Sequence, residues 1–129
     1  MIVLDTHAWV WWIGGPGAPS LSKPARTAIE TAAEIGVSDI SLVEVAWLVA
    51  NDKLRLDRDV EVWIHQALGN DRIRRLRIEP EIATRAAMLS WHHKDPADRI
   101  IVATAGVHRA KLVTRDRAIR AAKLVATVW

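Results

Sequence analysis

Asp5, Glu44, Asp98 and Asp116 are the side chains of this sequence best suited by type and spacing to do chemistry together. Carboxylates brought within a few ångströms of one another cannot all stay ionised without a counter-ion. A hard divalent cation resolves that conflict, because magnesium takes oxygen ligands and keeps several waters, leaving room for phosphate oxygens. One or two such ions can orient and deprotonate a water for in-line attack on a phosphodiester and offset charge on the leaving oxygen.

A site of this kind needs a scaffold that delivers four distant acids to one place. Ile2-Val3-Leu4 is a short β-branched run suited to a buried strand that runs out at Asp5, and Ala8 to Ile13 reads as a short apolar helix. Residues 14 to 19 form a Gly/Pro-rich loop, after which Ser22 caps a helix running to about Glu34, with Pro24 in its first turn and Gly36 ending it. Val37 to Ile40 is a second strand, and Ser41 caps an apolar helix through Ala50. Asp59 opens a further helix that ends near Gly69, and Arg72 to Ile78 alternates imperfectly between apolar and basic residues as a third strand. Glu79-Pro80 begins a helix to about Trp91. Asp95-Pro96 begins the next, which carries Ile100, Ile101, Ala103, Thr104, Ala105 and Val107 toward the core. Lys111 to Thr114 is a strand, and a short helix from Arg117 and a final strand from Leu124 to Val128 follow. Strands alternating with helices predict a parallel sheet covered on both faces. A length of 129 residues predicts one domain.

Asp5 and Asp116 follow strands, so both emerge at the carboxyl edge of the sheet, where open α/β sheets bind ligands. Glu44, three residues after Ser41, and Asp98, three after Asp95, fall in first helical turns facing the same edge. Each acid also has a local explanation. Glu44 completes a Ser-x-x-Glu capping box, Asp98 is a charge favoured by a helix N-terminus, and Asp116 can cap the helix behind it. Asp5 is the hardest to explain locally, since a charge between two apolar segments needs compensation. The site rests on all four together.

These residues lie in four segments, Met1-Ile2-Val3-Leu4-Asp5-Thr6-His7-Ala8-Trp9, Ser41-Leu42-Val43-Glu44-Val45-Ala46, Asp95 through Ala105, and Leu112-Val113-Thr114-Arg115-Asp116. In that order and spacing the chain resembles the PIN-domain family, and within it the VapC-type toxins of toxin–antitoxin pairs. The resemblance implies a PIN-like three-layer α/β/α sandwich with a central parallel sheet, dependence on Mg²⁺ or Mn²⁺, and endonucleolytic cleavage of RNA. By motif matching, Asp5, Glu44, Asp98 and Asp116 take the family's metal-binding acidic positions, and Thr114 takes its small hydroxyl position. Asp95 is an additional acid for which capping is the favoured role. The resemblance also implies a small antitoxin whose tail covers the active-site groove, and a homodimer.

Composition agrees with a soluble cytoplasmic protein. There is no cysteine, which excludes a disulfide framework, a thiolate zinc site and a cysteine nucleophile. No apolar run approaches the roughly 20 residues of a membrane helix. Nor does the start have the form of an export signal. Residues 1–54 carry three Lys/Arg against six Asp/Glu and residues 55–129 fifteen against nine, so an acidic site adjoins a basic half able to attract a polyanion.

The five histidines form no zinc pattern. His7 reads as a surface or packing residue, and His92-His93 as a solvated turn or an RNA contact near Asp98. Arg99, Arg115, Arg117 and Arg120 flank the acids and could grip phosphates, whereas Arg72, Arg74, Arg75 and Arg77 read mainly as a solvated face. Trp9, Trp11 and Trp12 suit an interface, with at least one of them in the core. Competing readings are an aspartyl-phosphate phosphatase, which would carry an acid where His7 stands, a phosphate-receiver module, and a PIN-like RNA- or protein-binding scaffold without cleavage.

Overall fold

The computed structural model describes residues 1–14 and 21–129. Strands β1 (Ile2–Leu4), β2 (Ile35–Ser38), β3 (Ile73–Leu76), β4 (Lys111–Val113) and β5 (Thr127–Val128) form one sheet in the order β3-β2-β1-β4-β5. Every pair is parallel, and β1 lies at the centre with Leu4 opposite Val37 on one side and Val113 on the other. Helices α1 (Thr6–Gly14), α2 (Lys23–Thr31), α3 (Asp39–Ala50), α4 (Val60–Ala67), α5 (Pro80–Met88), α6 (Pro96–Val107) and α7 (Arg117–Ala122) cover it.

Side chains alternate across a strand, so β1 feeds two cores. Ile2 and Leu4 pack with Ile35, Val37 and Val113 against Trp9, Ile29, Val45 and Trp63 of α1 to α4. Val3 packs on the opposite face with Leu112 of β4 against Ile101 and Val102 of α6 and Ile119 of α7. Ile82 and Ala86 of α5 lie outside α6 against Ala103. The expected three-layer α/β/α sandwich with a central parallel sheet is the observed one.

Several boundaries differ from those the sequence predicts. Gly36 does not end α2; it sits inside β2, where an added Cβ would meet Leu76 Cδ1 at 2.5 Å, so its missing side chain is the space that Leu76 fills. α2 stops at Thr31, short of Glu34, and β2 accordingly begins at Ile35 rather than Val37. Ser38, not Ser41, caps α3, its Oγ accepting from Ile40 N at 3.2 Å. Ser41 is then an interior helical residue, fully buried, and Glu44 falls in the second turn rather than the first, so the capping-box explanation of Glu44 fails. The N-caps Ser22, Asp59 and Asp95 stand as expected, with side-chain bonds to Ala25, Glu61 and Ala97. Gly14 is the last residue of α1, and the rest of the expected loop, 15–19, lies outside the described residues.

α5 ends at Met88 rather than Trp91 because one side chain claims its carbonyls. The Arg99 guanidinium donates to the carbonyls of Ala86, Ala87, Leu89, Trp91 and His93 at 2.8–3.3 Å, satisfying groups that a helix end leaves open. Arg99 is thus committed to the α5–α6 connection and is not available to phosphate. Arg72 is similarly spent on carbonyls of Ile29, Glu30 and Ala32, while Arg74 and Arg75 pair with Glu34 and Asp39. The edge strand β3 explains the imperfect alternation of its sequence, for Ile73 and Leu76 are buried and the two arginines between them are exposed.

Candidate active site

Asp5 leaves the carboxyl end of central β1 and is only 8% exposed. One of its carboxylate oxygens, Oδ1, accepts the backbone N–H of Ala8 at 2.8 Å, which secures the first turn of α1 and fixes the side chain. Thr114, fully buried just past β4, accepts the N–H of Asp116 at 3.1 Å through its hydroxyl and lies near enough to Asp5 to favour its ionised form. Asp116 caps α7 by accepting from Ile119 N at 2.9 Å, so its capping and pocket-lining roles coexist.

Glu44 reaches the pocket from α3. Its Oε1 lies 2.5 Å from Thr6 Oγ1, which is in turn 3.0 Å from Ser41 Oγ. A threonine hydroxyl carries one proton, and the carboxylate is the stronger acceptor, so Ser41 supplies the proton for the second bond. Asp98 sits in the first turn of α6, beyond the cap Asp95 and the helix-compatible Pro96. His93 Nε2 lies 2.6 Å from Asp98 Oδ2.

Asp5, Glu44, Asp98 and Asp116 line one cavity of about 380 Å³ at the carboxyl edge of the sheet, together with Asp95 and Arg115. Electrostatics record the crowding. Burial raises the pKa of Asp5, with the Glu44 charge adding to it, against the pull of Thr114 and the Ala8 N–H. Burial is also the main cause that raises Glu44, reinforced by Asp98 and Asp95 and opposed by the Thr6 bond. Asp98 is raised by burial first and then by Asp95 and Asp116, against the His93 hydrogen bond. Three acids held in less-solvated surroundings and repelling one another fit a cation, whose charge would remove the conflict.

Of the sequence-expected residues, all four acids reach this cavity and Thr114 lies behind it. Among the described residues, the group whose ligand atoms lie closest together is His93, Asp95 and Asp98, all within 4.8 Å of one another. Sequence reasoning left His93 unplaced and missed Thr6 as the residue that holds Glu44. The position of Thr6, directly after a strand-end acid, is the signal that could have found it. Arg115 lines the cavity with its guanidinium 5.9 Å from the Trp11 ring, and of the expected phosphate-gripping arginines it is the one that lines this cavity. Trp9 is the core tryptophan, wholly buried and edge-on to Trp63 at 5.1 Å.

A parallel sheet that collects one buried and three partly buried acids at its carboxyl edge defines a class, and the chain belongs to the PIN domain family, whose pattern matches residues 2–124. Within that class it is 39% identical over 131 aligned residues to ribonuclease VapC22 of Mycobacterium tuberculosis, covering 99% of this chain and 98% of that protein. Solved structures share the fold. A toxin–antitoxin complex from Klebsiella pneumoniae matches with a TM-score of 0.68 at 23% identity, over 98% of this chain and 97% of that one. VapBC2 from Rickettsia felis, bound to a DNA fragment from its promoter, matches with a TM-score of 0.70 at 19% identity over the same shares.

Proposed function

We propose that this protein is a metal-dependent endoribonuclease and the toxin of a type II, VapBC-type pair, acting in the cytoplasm on RNA and held in check by a small antitoxin. The observation that carries it is the convergence of Asp5, Glu44, Asp98 and Asp116 on one cavity, in a chain whose 39%-identical relative is a ribonuclease. Those four acids would hold Mg²⁺ or Mn²⁺, which supplies a Lewis acid that activates water and offsets charge on the departing oxygen. Thr114 and the Ala8 N–H favour the ionised form of Asp5, Thr6 orients Glu44, and Arg115 offers a cation to a phosphate entering the cavity. No helix among the described residues is long and apolar enough to cross a membrane.

The antitoxin and a homodimer belong to the same proposal. Beside the acidic cavity, and sharing Trp11 with it, is a larger cavity of about 710 Å³ in which Val10, Leu54 and Trp63 stand beside Arg55, Asp57 and Arg58, which suits a partner's tail of mixed apolar and charged side chains. On α3, Val43 and Trp47 stand one turn apart at 56% and 69% exposure and offer a second copy an apolar face. A scaffold that bound RNA without cleaving it would have no need to bury acids whose charges oppose one another.

The test is cleavage of RNA by the purified chain with Mg²⁺ or Mn²⁺, abolished by EDTA and restored by the metal. Cleavage that survives EDTA would end the metal-dependent mechanism. Growth arrest on expression, relieved by the adjacent small reading frame, tests the toxin assignment, and a harmless but active nuclease would redirect it to RNA processing.

A further inference from the structure

His93 stands against Asp98, one of the acids that line the cavity, with no task in the four-acid mechanism, yet it is held there more firmly than a surface histidine requires. Its ring stacks on Trp91 with centroids 4.6 Å apart and planes 27° from parallel. Its main-chain carbonyl accepts from Arg99 Nη1 at 3.0 Å, and the same nitrogen holds the Trp91 carbonyl at 2.8 Å. So fixed, Nε2 faces Asp98 Oδ2 at 2.6 Å, with the side chains 29% and 19% exposed. Asp95 completes the group and spends only Oδ1 on capping α6, leaving its other oxygen free to turn toward the pair.

We propose that His93 Nε2, with Asp95 and Asp98, ligates a divalent cation directly, and that this nitrogen makes the site select first-row transition ions over Mg²⁺. The inference deepens the metal-dependent mechanism above and rests on it. Asp98 belongs both to this group and to the four acids, so His93 and Asp95 add donors to that site and do not replace it. Mg²⁺ prefers an all-oxygen shell and gains little from an imidazole, whereas affinity for N/O sites rises along the series from Mn²⁺ through Co²⁺. Neighbouring ligands on an ion with bonds of about 2.1 Å stand about 3 Å apart. Binding releases the proton shared by Nε2 and Oδ2 to solvent and puts the ion in its place, and the observed 2.6 Å then needs an opening of only a few tenths of an ångström, within reach of a partly exposed ring.

The experiment is titration of the apo full-length chain with MgCl₂, MnCl₂ and CoCl₂, followed by thermal shift, in wild type and His93→Gln, together with pulsed EPR of the Mn²⁺-loaded wild type. The expected result is a ¹⁴N coupling on Mn²⁺ and at least tenfold tighter binding of Mn²⁺ and Co²⁺ than of Mg²⁺. His93→Gln should weaken Mn²⁺ and Co²⁺ about tenfold or more and change Mg²⁺ less than twofold. Metal binding without ¹⁴N coupling, or an equal effect of the substitution on all three ions, would overturn the role of His93 and leave the four-acid site standing. Absence of binding by any of the ions would overturn both. The EPR measurement needs no variant, so a His93→Gln chain that failed to fold would not shield the proposal.

Discussion

Thr6 Oγ1 stands 2.5 Å from Glu44 Oε1, across 38 residues of sequence, and so ties the first turn after β1 to the second turn of α3. Asp5, the residue before Thr6, is repelled by the Glu44 charge. The threonine thus fixes the distance between two acids that would otherwise separate.

Replacing that hydroxyl isolates its contribution. Thr6→Val keeps the shape and removes the bond, and a hydrogen bond to a charged group contributes about 1.5–3 kcal/mol. The expected outcome is a loss of roughly tenfold to a hundredfold in kcat/KM for RNA, with Thr6→Ser close to wild type. Equal activity in Thr6→Val would remove the tie from the mechanism.

Asp5→Asn should separate activity from stability. Cleavage should fall by more than about a hundredfold, since even partners of metal ligands cost 10–100-fold when lost, while the amide oxygen can still accept the Ala8 N–H. The apo variant should melt several degrees higher than wild type at pH 7.5, a shift of about 1 kcal/mol or more at this chain length, because a buried, repelled charge is gone. Circular dichroism melts in EDTA read the second effect.

Stability against pH follows from the same raised carboxyls. The pKa values of Asp5, Glu44 and Asp98 lie above their ordinary values, chiefly through burial. For an acid shifted this way the folded state binds more protons than the unfolded one, so the stabilisation is complete below the ordinary carboxylate value and is lost as pH rises through the raised one. Between that acid limit and neutrality, apo wild type should therefore lose melting temperature relative to Asp5→Asn as pH rises. Added divalent metal should recover more stability at neutral pH than at pH 4.5, where protons compete for the same oxygens. A difference between the two melts that does not change with pH would show that Asp5 is not shifted.

Arg99 makes a structural prediction. Its fork serves five carbonyls spread over Ala86 to His93, a task that the compact lysine ammonium cannot reproduce. Arg99→Lys should cost about 2–4 kcal/mol in urea unfolding and should loosen the Trp91–His93 stack, visible as a change in tryptophan emission. A cost below about 0.5 kcal/mol would mean that solvent replaces those bonds freely.

Trp47 tests the dimer. Trp47→Glu puts a charge at a residue that is 69% exposed. The expected outcome by light scattering is a dimer for wild type and a monomer for the variant at micromolar concentration, with RNA cleavage per chain measured alongside. A variant of unchanged mass would put the interface elsewhere.

Much of this was legible from residue order. The apolar runs ending in Asp5 and Thr114, and the Asp95-Pro96 start of α6, mark their elements because strand burial and capping act locally. What was misplaced depended on distant partners. Gly36 looks like a helix stop until β3 supplies Leu76 to fill its space, and Ser41 looks like a cap until Thr6 draws its hydroxyl inward. The sequence shows only the charge of Arg99 and His93 and their proximity to Asp98, while their actual geometry is set by a connection whose path it does not reveal. Local chemistry announces itself, and pairing over tens of residues does not.

The four acids hang from separate stretches of chain around a sheet whose middle strand, β1, is paired on both sides. Such a pocket is modular. An insertion or exchange in one stretch retunes a single wall of it and leaves the others in register, so the surroundings of the acids can change while the frame beneath persists.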